Sequence, residues 1–91
     1  MNPAEIYLVQ HLNRLMALPL DTKLDLENWI VESNQVMRSL EKNFPDFEPS
    51  ENFWHFIADP DIRLRDKEYR DYQHKLMQDY ISRLRAPKVS P

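Results

Sequence analysis

The chain has 91 residues, a mass of 11.0 kDa, seven prolines, no glycine and no cysteine, where average usage would give about six glycines. Without glycine, the P-loop, the dinucleotide fingerprint, the nucleophile elbow, the EF-hand loop and the KH-type clamp are excluded, because each needs a residue that lacks a Cβ; without cysteine, so are disulfide scaffolds, cysteine-ligated zinc or iron–sulfur sites and thiol catalysis. A net charge of −3 and a pI near 5.5 disfavour general affinity for nucleic acid, which draws on counterion release by excess lysine and arginine.

This length predicts one domain, residues 1–85, with a modest core that buries about 60–65% of the unfolded chain's surface. A proline-bearing tail over 86–91 is expected to fray. An apolar content of 42%, ten aromatics and a mean hydropathy of −0.70 describe a folded domain with a well-solvated exterior. No run approaches the roughly 18 apolar residues of a membrane span, and the opening Met1-Asn2-Pro3-Ala4-Glu5 lacks the basic flank of a signal peptide. The expectation is a cytoplasmic protein with no membrane partner.

Helix punctuation falls to proline and to short polar side chains. Asn2 as N-cap, Pro3 at the first helical position and Glu5 three residues after the cap predict a helix over 3–17, with Leu8, Val9, Leu12, Leu15 and Met16 on one face and Pro19 beyond its end. Thr22 followed by Asp25 opens a second helix running to about Asn43, with Asp21 as the competing cap. Its stripe is Leu26, Trp29, Ile30, Val36, Met37, Leu40 and Phe44, with Trp29 inside. The short Leu18-Pro19-Leu20 connection predicts an antiparallel pair. Leu24 and Val31, seven residues apart, lie opposite this stripe and imply a second contact, with the chain itself or with a partner.

Pro45 and Pro49 break the pattern. The segment from Phe44 to Phe56 holds all four phenylalanines and one of the two tryptophans. It is read as a lid whose rings close the helical hairpin, with an aromatic binding surface as the competing reading. Phe47, flanked by Asp46 and Glu48, is the ring expected to stay exposed. Ser50 caps a short helix over 51–58. Asp59 and Pro60 then open a last helix running to Arg85, with Ile62, Tyr69, Tyr72, Leu76, Met77, Tyr80 and Leu84 on one face and Leu64 off it. An alternative start at Asp66 leaves 62–65 extended.

Charge spacing tests the last helix as a nucleic-acid surface. Asp59, Asp61, Asp66, Asp71 and Asp79 each precede a base, Arg63, Arg65, Arg70, Lys75 and Arg83, by four residues, an order worth about 0.2–0.5 kcal/mol per pair in an isolated helix. The pairs predict a continuous, salt-laced, solvated helix whose acids repel phosphate. Asp71 and His74 have carboxylate–histidine spacing, and Glu51 stands four before His55, but neither reaches the four-carboxylate, two-histidine pattern of a diiron site. The serines lack the histidine or strained turn that nucleophilic catalysis needs.

The sequence therefore predicts an all-α small helical bundle of two or three long amphipathic helices plus one short helix, joined by an aromatic and proline-rich segment. The expected function is a non-catalytic protein–protein interaction or regulatory module, of the small bacterial or phage adaptor or inhibitor type, with no cofactor and no metal. Its partner is another protein or a second copy of the chain in a homodimer, contacted through Leu24, Val31, Phe47 and Trp54. The alternative is a nucleic-acid-binding helical module using Arg63, Lys67, Arg70, Arg85 and Lys88.

Overall fold

A computed structural model describes residues 1–86 and shows an all-α bundle. Five helices follow one another: α1 (Pro3–Ala17), α2 (Lys23–Asn43), α3 (Glu51–Ala58), α4 (Pro60–Arg65) and α5 (Lys67–Arg85). Local side chains set most of the boundaries. The Asn2 carboxamide accepts from the Glu5 amide at 2.8 Å while the Glu5 carboxylate accepts from the Asn2 amide at 3.0 Å, a reciprocal capping box. Thr22 and Asp25 repeat the arrangement at the start of α2.

α1 and α2 form the antiparallel hairpin. The Trp29 indole donates to the Leu15 carbonyl at 3.0 Å, Arg14 meets Glu32 at 2.6 Å, and the Tyr7 and Phe44 rings lie 5.9 Å apart, so later residues of α2 meet earlier residues of α1. Leu8, Leu12 and Leu15 of α1 and Trp29, Val36 and Leu40 of α2 are buried in the seam. Phe53 and Phe56 of α3 and Met77, Tyr80 and Ile81 of α5 complete the same core. Each fully buried leucine or phenylalanine contributes about 1.5–3 kcal/mol relative to exposure. On α2, Ile30 departs from the expected stripe: it is exposed, and Ser33 takes the inward position, its hydroxyl donating to the Ile30 carbonyl.

The last helix is not continuous. α4 ends at Arg65, Asp66 adopts an extended conformation (φ −126°, ψ 104°), and its carboxylate caps α5 by accepting from the Tyr69 amide at 3.0 Å. The start at Asp66 is therefore correct, but residues 62–65 are helical rather than extended. Of the five acid–base pairs that favoured continuity, only Asp61–Arg65 closes among the described residues, at 3.9 Å. Gln73 turns inward above Met77, Tyr80 and Ile81, while Tyr72, expected on the core face, is 58% exposed and Ile62 is exposed with it.

Arg63 lies at the centre of this arrangement. Expected on a solvated face beside Asp59, it is instead fully buried. Its guanidinium carbon lies 4.2 Å from the Phe56 ring centroid and 4.6 Å from that of Trp29. Nη1 donates at 2.6 Å both to the Phe56 carbonyl and to Gln73 Oε1, and Nε and Nη2 find no hydrogen-bond acceptor among the protein's atoms. The two ring faces supply the attraction those nitrogens lack, since a desolvated cation–π contact is worth about 2 kcal/mol. Burial, only partly offset by the charge of Asp59, lowers the Arg63 pKa to about 10, so the cation persists at neutral pH. Asp59 does not cap α4 with its side chain. Its carboxylate accepts from the Tyr69 hydroxyl at 2.7 Å and from Gln73 at 3.3 Å, and Gln73 also donates to Tyr69. One polar chain thus runs from the α3–α4 junction through α5 to the buried cation.

Candidate functional site

The turn between α2 and α3 builds the most distinctive surface of the chain. The Phe44 amide still donates to the Leu40 carbonyl at 2.8 Å, but Phe44 itself leaves the helical region (φ −137°, ψ 61°). Pro45 follows, and a proline biases the residue before it away from helix. The Phe47 amide then donates back to the Phe44 carbonyl at 3.1 Å, closing a tight turn. Beyond Pro49, the Ser50 amide donates to the Tyr80 hydroxyl at 3.2 Å, tying the far side of the turn to α5, and the Ser50 hydroxyl caps α3.

α3 then places consecutive aromatics on opposite sides. Phe53 and Phe56 enter the core, whereas Trp54 is 43% exposed, its ring 5.5 Å from that of Phe53 in an edge-on arrangement. A groove of about 240 Å³ runs under Trp54 between α2 and the turn. Met37, Leu40, Phe44 and Phe47 line it with Trp54 and the two prolines, and its charged lining residues are Glu41 and Glu48. A broader open hollow of about 410 Å³ lies on the other side of the Phe44–Phe47 turn, against Asn2, Pro3 and Ala4, and its charged lining residue is Asp46. The groove is smaller than the roughly 300–1,000 Å³ of a typical cofactor or drug site and suits one or two inserted side chains.

Of the four residues expected to contact a partner, Phe47 and Trp54 come together in this groove. Their roles differ from the sequence reading: Phe47 is half-buried against the core, because the turn folds it back over α2, and Trp54 is the open ring. The lid and the surface are thus one segment, with Phe53 and Phe56 as lid and Trp54 as surface. Leu24 and Val31 lie on the opposite face of α2, 64% and 55% exposed, and no other described helix covers them. Leu24 stands sixteen residues, about 24 Å, before Leu40 along the helix, so the two patches are separate.

The basic residues assigned to nucleic acid do not gather on a face. Arg63 is interior. Arg70 is held by the Leu20 carbonyl and by Asp21 at 3.3 Å, which fastens α5 to the α1–α2 connection. Lys67 and Arg85 are exposed near opposite ends of α5, and Lys88 lies outside the described residues.

The histidines are dispersed as well. His55 meets Glu51 at 3.7 Å on the surface. His74 is half-buried 6.1 Å from the Phe56 ring, with a pKa lowered by burial first and then by Arg63 and Arg70, against an opposing pull from Asp71. His11 stacks on Tyr7 at 4.1 Å, its pKa lowered by burial and by Arg14. Among the described residues no three His, Cys, Asp or Glu side chains converge as metal ligands, and no helix is long and apolar enough to cross a membrane. Comparison of the chain with protein-family models, with curated proteins and with solved structures finds no match.

Proposed function

We propose that the chain is a non-catalytic protein–protein interaction module, of the small adaptor or inhibitor type, that docks another protein through the groove under Trp54. The exposure of Trp54 over an apolar groove is the observation that carries this reading. A small domain gains most by burying its large rings. One left 43% open beside Phe47, Phe44 and Met37 has the composition of an interface hot spot, where Trp and Tyr anchors dominate binding energy. The surrounding architecture supports it, since Phe53, Phe56 and the Ser50–Tyr80 bond fix the groove's walls before any partner arrives, and a preformed site reduces the ordering cost of association.

Affinity capture from native extract, run in parallel with wild-type, Trp54→Ala and Leu24→Asp proteins, tests the proposal. A captured partner should be lost with Trp54→Ala and kept with Leu24→Asp, both variants retaining wild-type helicity by circular dichroism. Loss with Leu24→Asp and retention with Trp54→Ala would assign docking to the outer face of α2 instead.

A further inference from the structure

We infer that the groove under Trp54 takes a partner segment in which an apolar anchor side chain is flanked by lysine or arginine. The inference rests on the docking role proposed above and adds the chemistry of the occupant. The floor calls for an apolar anchor: Met37, Leu40, Phe44 and Phe47 offer no charge, and the 240 Å³ available holds side chains rather than a folded element. The rim calls for cations. Glu41 and Glu48 are the charged residues lining the groove, and Asp46 lines the hollow across the turn, so every charged residue bordering either depression is acidic. All three carboxylates are exposed, and none is engaged in an ion pair among the described residues.

Carboxylates beside an apolar surface act on a partner in two ways. They attract a cationic segment over about 8 Å at physiological ionic strength, and they reject an acidic segment or a phosphate backbone by like-charge repulsion. The anchor supplies the holding contact, and the flanking bases supply orientation and selection.

Three synthetic twelve-residue peptides titrated into the full chain test this: one alternating leucine and lysine, one with glutamate in place of lysine, one with serine in place of leucine. The readout is the indole N–H resonance of Trp54, with the buried Trp29 indole as internal control. The leucine–lysine peptide should shift the Trp54 resonance, and the other two should bind at least tenfold more weakly. Its affinity should fall at least tenfold in Glu41→Lys/Glu48→Lys protein and in Trp54→Ala protein, the latter followed by peptide anisotropy.

Equal binding of the glutamate and lysine peptides would overturn the charge inference and leave the docking role standing. Failure of the leucine–lysine peptide to bind would overturn the inference likewise, and partner capture sensitive to Trp54→Ala would then still support docking. Binding insensitive to Trp54→Ala would overturn the groove itself. Self-association of the chain, detected by sedimentation and abolished by Trp54→Ala, would replace the proposed occupant with a second copy.

Discussion

Arg63 shows how far a single residue's environment can depart from its local sequence. Four residues after Asp59, it carries the signature of an exposed ion pair. The protein buries it against two aromatic rings, with Gln73 and the Phe56 carbonyl as its polar partners. Arg63→Ala should cost about 3–5 kcal/mol, because it empties the space between rings and strands Gln73 and a helix-terminal carbonyl in the core. Against the roughly 5–15 kcal/mol that stabilises a domain, that loss shifts the urea midpoint sharply. Arg63→Met should cost less, since its side chain still fills the space between the two rings that alanine would leave empty. Denaturant titrations of both variants check the order.

His74 and His11 give the fold a pH dependence at the same scale. Both have pKa values below the ordinary 6.5 in the folded state, chiefly through burial. Between the folded and unfolded values the unfolded chain binds more protons, so stability is fully present above about pH 6.5 and falls as pH drops below it. Urea midpoints at pH 7.5 and 5.5 should show the decline, and His74→Gln should flatten it.

At the scale of the element, the helix starts were legible and one helix's continuity was not. Asn2 with Glu5, Thr22 with Asp25 and Ser50 act within one turn of their own positions, so sequence spacing alone locates them. The break at Asp66 depends on tertiary contacts. Arg63 of α4 and Gln73 of α5 meet at 2.6 Å, whereas one straight helix sets residues ten apart about 15 Å from each other along its axis. Gln73 stands one turn before Met77 but, being polar, drops out of a stripe of apolar residues, and Tyr72, about 140° around the helix from Met77, has only its aromatic character to suggest the core face. On α2, Ile30 lies about 100° around the helix from Trp29, at the edge of the stripe, whereas Ser33 lies about 40° from it and takes the inward place. Asp66→Ala should cost about 0.5–2 kcal/mol by removing the α5 cap, with loss of amide-exchange protection concentrated at Lys67–Arg70.

At the scale of the molecule, the chain extends over 47 × 29 × 19 Å, and its two apolar surfaces sit apart. The groove lies at the open end of the α1–α2 hairpin, where Tyr7 meets Phe44. The Leu24–Val31 patch lies on the outer face of α2. The aromatic segment was legible as a concentration of rings that includes both Trp54 and Phe47. Which ring would stay open was not, because the Phe44–Phe47 turn decides it by folding Phe47 inward. The absence of glycine fits this architecture: every connection is made with backbone torsions that ordinary residues accept, and no described residue has a positive φ.

Amide mapping of the isotopically labelled chain with the leucine–lysine peptide is the most direct test of binding at the groove. The largest shift changes should cluster at Met37, Glu41, Phe44, Phe47 and the Trp54 indole, with the Trp29 indole unmoved. Changes centred on Leu24 and Val31, or along α5 at Lys67 and Arg85, would contradict it.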